Sequence, residues 1–204
     1  MSRRVLIVAA AFLFSAATLA QAEDARERLD RFAEGLDRLS GEFEQVTIDG
    51  GGRVVEESTG RLYFQTPDRF RWNYSDPFPQ EMVADGERLW HYDESLEQVT
   101  VREQPPASES PLMVLTHPEL LDRFYRIEPD DDPDALKFVP LEADAEFEQA
   151  RLLFDNGVPA GLELIDRFGQ TTRLTLTNLQ RNPELDEALF IFVPPPGADV
   201  LEGY

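Results

Sequence analysis

Cysteine is absent from this 204-residue sequence, and its absence excludes several kinds of chemistry. Without a thiol the chain can form no disulfide, use no thiolate nucleophile and hold no zinc ion through sulfur. A lipid-modified N-terminal cysteine is excluded as well. The protein is therefore not itself a lipoprotein.

Basic residues are scarce. The sequence has 19 Lys and Arg against 40 Asp and Glu, a formal net charge of −21, and Lys137 is its one lysine. A surface of this sign repels nucleic acid and anionic lipid head groups, which argues against nucleic acid as a partner. The charge either serves solubility or lets an acidic protein dock onto basic patches of its partners, and composition leaves both open.

Recognisable catalytic and metal-binding motifs are also missing. Neither histidine, His91 or His117, is spaced with carboxylates as a metal ligand set. The sequence has no GxSxG elbow, HExxH helix, P-loop or GxGxxG turn. The acidic run 130–134 lacks the alternating ligands and the glycine of a calcium loop. Nothing in the sequence supports an enzyme, a cofactor or a metal site.

Long apolar runs are confined to the N-terminus. Arg3 and Arg4 precede an apolar run at 5–19, and Ala20-Gln21-Ala22 fits a signal peptidase site. We expect residues 1–22 to be a cleaved secretory signal peptide and residues 23–204 to form one exported domain. The composition of the full sequence, 42% apolar and 29% charged, is that of a globular chain.

The stretch 60–92 shows the pattern around which the rest of the domain is organised. Its apolar residues fall two apart, as in Phe70, Trp72 and Tyr74, which is typical of a half-buried antiparallel sheet. Proline-containing breaks and the hairpin dipeptide Asp85-Gly86 separate its strands. The same reasoning predicts strands at 42–48, parts of 54–65, 70–74, 81–84, 88–92, 98–102, 125–128, 136–141, 147–154, 161–166, 171–178 and 189–193. Pro194 to Gly197 should end the regular structure.

Two segments interrupt this pattern with helical character. Residues 24–39 carry apolar side chains on one side, which predicts an amphipathic helix. In residues 104–122, Pro105-Pro106 ends the preceding strand, and two short apolar helical turns follow. This second segment is either a crossover helix packed on an ordinary core or a movable lid over an apolar cavity. The fold class is mainly β with helices (α+β).

Several motifs in order resemble the LolA family of periplasmic outer-membrane lipoprotein carriers. They cover nearly all of residues 23–204 and include Phe43-x-Gln45, Gly60-x-Leu62, Pro67-x-x-Phe70-x-Trp72-x-Tyr74, Asp85-Gly86-x-x-Leu89-Trp90-x-Tyr92-Asp93 and Phe190-x-Phe192-x-Pro194-Pro195-x-Gly197. The resemblance implies a half-open antiparallel β-barrel whose apolar concave face is capped by the N-terminal helix and the lid.

The same resemblance implies a function and its partners. The cavity would bind the acyl chains of lipoproteins released from the inner membrane by an ATP-binding-cassette transporter, and the protein would deliver them to an outer-membrane acceptor. It would act in the periplasm as a monomer without cofactor or metal. A regulator that senses lipoproteins or lipids on the same half-barrel is one alternative, and a hydrolase of lipids or glycans is another.

The two-residue spacing of the apolar side chains (period two) then assigns the residues of the lipid site. On the concave wall we place Phe43, Leu62, Phe64, Phe70, Trp72, Met82 and Leu89, and on the lid Met113, Leu115 and Leu120. Trp90 and Tyr92 would share the face opposite Leu89 and are not assigned to the site.

The sequence departs from the family at one position. LolA proteins commonly carry an arginine before the strand-breaking proline, and it hydrogen-bonds to the lid. This chain has Thr66 there. The resemblance therefore implies that Thr66 contacts the lid with a hydroxyl alone, or that Arg61, Arg69 or Arg71 replaces the missing charge.

The predicted cleavage site can be tested directly. We expect the exported protein to begin at Glu23, because the small residues Ala20 and Ala22 lie where signal peptidase requires them. Intact mass spectrometry of protein isolated from the periplasm would measure this. A mass that includes residues 1–22 would contradict it.

Overall fold

Twelve strands form one sheet in the computed structural model, which describes residues 25–104, 111–142 and 145–203. The predicted signal peptide lies outside these residues. The strands are β1 (Arg38–Ile48), β2 (Val54–Gln65), β3 (Arg69–Asp76), β4 (Gln80–Ala84), β5 (Arg88–Asp93), β6 (Gln98–Glu103), β7 (Tyr125–Glu128), β8 (Ala135–Pro140), β9 (Phe147–Asp155), β10 (Val158–Asp166), β11 (Thr171–Arg181) and β12 (Asp199–Glu202).

Helical segments are few in the described part of the chain. Helix α1 covers residues 25–33, and α2 is Glu119–Phe124. Two 3-10 helices span Pro111–Leu115 and Glu187–Phe190. None of these helices is long and apolar enough to cross a membrane.

The sheet is open. Its strand order is β12-β6-β5-β4-β3-β2-β1-β11-β10-β9-β8-β7, so β12 and β7 form its two edges. Neighbouring strands are antiparallel except β12, which runs parallel to β6. The predicted α+β fold with a half-open antiparallel barrel is confirmed.

Strand register confirms the predicted apolar face. Phe64 lies opposite Phe70, and Leu62 and Met82 both lie opposite Trp72. Because directly opposed residues point to the same side of a sheet, these side chains form neighbouring rows on the concave face. Helix α1 and the lid, which comprises the 3-10 helix Pro111–Leu115 and α2, pack onto these rows in one hydrophobic core.

A second apolar cluster covers the convex face of β3–β6. Val83 and Phe190 are fully buried there, and Phe192 stacks on Trp90 at 5.6 Å between ring centroids and contacts Tyr92. Trp90 and Tyr92 therefore lie on the face opposite Leu89, as period two predicted. The chain after β11 crosses this outer face before it reaches β12.

Three predicted boundaries are wrong. The helix predicted over 24–39 ends at residue 33, because Gly35 adopts a φ of 65° and Leu39 pairs with Phe64 in the sheet. Residues 189–193 form no strand: Phe190 at the end of a 3-10 helix and Phe192 in irregular chain pack on the convex face, whereas Ile191 and Val193 are exposed. The prediction that regular structure ends at Pro194 to Gly197 is also wrong, because β12 follows Gly197. The proline run gave no sign of this strand.

Gly60 sets the packing at the centre of the concave face. A Cβ built there would lie 2.0 Å from the Asn73 carbonyl oxygen and 2.7 Å from the Phe43 ring. The missing side chain lets Phe43 lie across the strand and contact Trp72 at 4.6 Å and Tyr74 at 5.2 Å between ring centroids.

We expect Gly60→Ala to destabilise the protein by about 1–3 kcal/mol, because the added methyl group forces the strand or the Phe43 ring to move. Chemical denaturation would measure this. Gly51→Ala is the control, since its Cβ would meet only the Asp49 side chain in an exposed turn. Equal stability of the two variants would contradict the prediction.

Candidate functional site

A cavity of about 230 Å³ lies between the concave face and the lid. It is bounded by strands from both halves of the sheet and by the 3-10 helix of the lid. Its lining residues are Gln45, Phe64, Phe70, Trp72, Tyr74, Met82, Leu112, Met113, Leu162, Leu164, Thr172 and Leu174. An apolar cavity of this size suits hydrocarbon better than water, because water in it would find few hydrogen-bond partners.

Five of the predicted lipid-site residues line the cavity. They are Phe64, Phe70, Trp72, Met82 and Met113. The other five do not line the cavity. Phe43, Leu62, Leu115 and Leu120 are buried in the main hydrophobic cluster, and Leu89 is buried outside both the cluster and the cavity lining.

Sequence reasoning missed the opposite wall. Leu162 and Leu164 on β10 and Leu174 on β11 complete the cavity. Each falls two residues from another apolar or lining position, so the alternation was visible. What was not visible is that β11 pairs with β1, which brings β10 and β11 next to the aromatic strands. Tyr74 shares its face with Trp72 and could have been included.

The polar side chains of the cavity lie toward one end, in rows that also hold leucines: Gln45 lies opposite Leu174, and Thr172 lies opposite Leu164. Phe64 and Phe70 form one row, and Gly60 and Tyr74 form a row four residues further along each strand. Gln45 and Thr172 belong to the end with Tyr74. The Tyr74 hydroxyl donates to Gln45 Oε1 at 3.2 Å.

Burial makes Tyr74 hard to ionise. Its pKa is raised mainly by desolvation and further by the negative charge of Glu56, while a hydrogen bond with the Trp72 side chain opposes the rise. Tyr74 is therefore a neutral hydrogen-bonding group at physiological pH.

An ion pair ties the lid to the N-terminal helix. Arg26 donates from Nη1 and Nη2 to the two carboxylate oxygens of Asp122, at 2.9 and 3.0 Å, and from Nε to Asp30 at 3.0 Å. The hydrogen bonds from Arg26 are the main reason that the pKa of Asp122 is lowered. Because Asp122 is largely exposed, water screens the pair, and such pairs stabilise by about 0.2–1 kcal/mol.

Thr66 lies beside the chain that follows α1. Its backbone N–H and its hydroxyl both donate to the Asp37 carbonyl oxygen, at 2.9 and 3.3 Å. Among the described residues, these hydrogen bonds link it to the segment before β1 and give no sign of the lid contact that the resemblance implied.

The three candidate replacement arginines also bond elsewhere in the described chain. Arg61 contacts Glu42, Arg69 contacts Glu187, and Arg71 contacts Glu81 and the Leu189 carbonyl. In the described structure, the lid is joined to α1 by the side-chain pair Arg26–Asp122. The two residues of this pair are 96 positions apart, and no local motif in the sequence marks them.

No group of three or more His, Asp or Glu side chains within residues 25–104, 111–142 and 145–203 is arranged to hold a metal ion. The acidic run at 130–134 instead bonds to arginines: Asp130 accepts from Arg151, and Asp134 accepts from Arg28.

Comparison with known proteins shows the family of this chain. The family model for the outer membrane lipoprotein carrier protein LolA matches residues 34–193. The chain belongs to the LolA family. The matched residues include both walls of the cavity and the described lid.

Individual LolA relatives extend over nearly the whole chain. An outer-membrane lipoprotein carrier protein of Alkalilimnicola ehrlichii is 44% identical over 187 residues, covering 90% of this chain and 86% of that protein. One from Halorhodospira halophila is 39% identical, covering 86% and 85%. One from Bordetella avium is 36% identical, covering 99% and 100%.

Solved structures support the fold alone. An uncharacterised conserved protein of Thermus thermophilus superposes with a TM-score of 0.55 at 20% identity, covering 88% of this chain and 99% of that one. A LolA superfamily protein of Nitrosomonas europaea gives 0.50 at 13% identity, covering 84% and 97%.

We expect Asp122→Asn to loosen the lid and to raise the affinity for an apolar fluorescent probe by up to about fivefold, since the pair contributes at most about 1 kcal/mol to the closed state. Fluorescence titration would measure this. Asp30→Asn is the matched control, because Asp30 also binds Arg26 but lies on α1 itself. Equal effects of both variants would contradict the role of the pair.

The pH dependence follows from the lowered pKa of Asp122. A carboxylate with a lowered folded pKa contributes stability that is present above its unfolded pKa and is lost as the pH falls through the folded value. The pair is therefore intact at neutral pH. Probe affinity of the wild type should rise toward that of Asp122→Asn only in acid.

Proposed function

We propose that this LolA-family protein carries lipoproteins across the periplasm with their acyl chains in the cavity beneath the lid. The single observation that carries the proposal is the apolar cavity left between the sheet and Met113 of the lid. The five predicted residues that line it are the ones we propose to contact the acyl chains.

The physical need for such a cavity follows from the cargo. Exposing each methylene of an acyl chain to water costs about 0.8 kcal/mol, so a protein anchored by two or three chains needs cover while it crosses an aqueous compartment. A signal peptide without a further apolar run, as the sequence predicts, would place the carrier in that compartment.

Release of the cargo requires a lid that opens. The cavity of about 230 Å³ is smaller than the roughly 300–1,000 Å³ of ordinary ligand pockets. Several acyl chains would therefore have to displace the lid. The weak, solvent-screened pair Arg26–Asp122 allows this, since a ligand shifts a closed state only by its differential affinity.

The proposed partners follow from the direction of transport. We propose that an inner-membrane ATP-binding-cassette transporter loads the lipoprotein and that an outer-membrane acceptor receives it from a monomeric carrier. The net charge of −21 suits basic docking patches on such partners.

We expect Phe70→Glu to abolish acyl-chain uptake, because it places a carboxylate in the apolar end of the cavity. Native mass spectrometry of protein isolated from the periplasm would show bound lipoprotein at one to one for the wild type and none for the variant. Phe168→Glu is the control, since Phe168 is 91% exposed on the β10–β11 turn.

Circular dichroism distinguishes a binding role of Phe70 from a packing role. Phe70 is only partly buried, so the Phe70→Glu variant should remain folded. Loss of its folded spectrum would mean that Phe70 serves packing instead.

Release of a lipoprotein from inner-membrane vesicles with ATP tests transport itself. We expect purified protein to bring the lipoprotein into the soluble fraction. A regulator that only senses lipoprotein would bind it without supporting release, and turnover of an ester substrate would point to a hydrolase.

A further inference from the structure

The concave face changes from apolar to polar beside the cavity, on β4, β5 and β6. Directly opposed residues of neighbouring strands point to the same side of the sheet. Beyond Tyr74 and Met82, the concave side chains in the rows of these two residues are polar. We call them the polar strip: Gln80, His91, Asp93, Gln98 and Thr100. All five are partly exposed.

The polar strip adjoins the cavity directly. Gln80 lies opposite Tyr74, and His91 lies opposite Met82. Tyr74 and Met82 both line the cavity. Since neighbouring strands are about 4.8 Å apart, a group at this edge of the cavity reaches the strip without leaving the concave face.

The opposite flank of the cavity is closed by the core. Beyond Leu162 and Leu164 on β10, the concave side chains of β9 and β8 are fully buried in the main hydrophobic cluster: Leu136, Phe138, Ala150 and Leu152. Of the two flanks, as far as the structure describes them, the one at β5 and β6 is therefore the partly exposed one. A group attached to a molecule inside the cavity has room on that side.

Hydrogen-bonding groups of both kinds lie in the polar strip. His91 Nε2 lies 3.1 Å from Gln80 Oε1, and the Gln80 amide nitrogen donates to Asp93 at 3.3 Å. Gln98 and Thr100 add an amide and a hydroxyl, which can each donate and accept. This mixture matches the alternating N–H and C=O groups of a polypeptide.

A phosphate-bearing head group fits the strip less well than a polypeptide does. Asp93 belongs to the strip, and Glu94 and Glu97 follow it on the exposed turn between β5 and β6. These carboxylates repel an anion. A polypeptide backbone carries no charge, and in a lipoprotein it continues directly from the residue that bears the acyl chains.

We propose that the polar strip binds the first residues of the cargo's polypeptide, those that follow its acylated N-terminus, while the acyl chains lie beneath the lid. This rests on the proposed function and adds an orientation to it. The cargo leaves the cavity across β5 and β6, where its backbone exchanges hydrogen bonds with water for hydrogen bonds with Gln80, His91 and Thr100.

Two ligands that share their acyl chains and differ in their polypeptide test the proposal. One is tripalmitoylated cysteine amide, and the other carries the uncharged extension Ser-Ser-Asn-Ala after the same cysteine. Each would displace a fluorescent fatty-acid probe from the mature protein. The ratio of the affinity for the extended ligand to the affinity for the amide would be compared between variants.

We expect a ratio above one for the wild type and a fall of about three- to tenfold in the double variant Gln80→Met/Thr100→Val, because it removes hydrogen-bonding groups and keeps side-chain size. The matched control is Gln180→Met/Thr175→Val, which makes the same two changes at exposed positions on the convex face. The control should keep the ratio of the wild type.

Photo-crosslinking locates the polypeptide directly. A diazirine-bearing residue placed second after the acylated cysteine should label the wild type within residues 80–100, as read by mass spectrometry of the digested protein. Labelling confined to β9, β10 and β11 overturns the proposal.

The affinity outcomes are also distinct. An unchanged ratio in the test variant, or an equal fall in the test and control variants, overturns the proposal. If the double variant fails to fold, the ratio in Thr100→Val decides in the same way. If the wild type binds neither ligand, the proposed carrier function itself fails, whereas binding of both with a ratio of one refutes only the role of the polar strip.

Discussion

The rest of this structure depends on one constraint. The helices cover the apolar face of the sheet but do not fill all of the space above it. Twelve strands present a wider surface than α1 and two short helical turns can occupy, and the remaining space is the cavity. In the aromatic cluster around Gly60, Phe43 packs into the place where a side chain would stand and contacts Trp72.

The lid combines a buried apolar side with an exposed polar contact. Leu115, Leu120 and Leu121 bury it in the main core, yet the polar contact that ties it to α1 is an exposed ion pair. Since solvent screens such a pair, it holds the lid only weakly, as the proposed uptake of acyl chains requires. Thr66 bonds to the Asp37 carbonyl, and Asp122 of the lid bonds to Arg26.

The few polar side chains of the cavity lie toward one end of it. Most of its lining is hydrocarbon, and Gln45, Tyr74 and Thr172 gather at one end. Tyr74 and Gln45 satisfy each other there through a hydrogen bond, and Leu162, Leu164 and Leu174 lie in the same rows.

The order of residues alone determined the alternation and therefore much of the site. Period two placed Phe64, Phe70, Trp72 and Met82 on one face, and the structure confirms their register. Alternation is a local property, because successive side chains of any strand point to opposite sides. The motifs likewise identified the family, and the absent thiols and catalytic motifs excluded whole classes of function.

Only the tertiary structure decided which strands face each other. The pairing of β1 with β11 brings Leu162 and Leu174 opposite the aromatic wall, and the fold alone brings Arg26 to Asp122. It also ended α1 early, placed Phe190 and Phe192 on the convex face and added β12 beside β6. These outcomes depend on contacts between residues far apart in the chain, and no local pattern of side chains encodes the partner of a distant one.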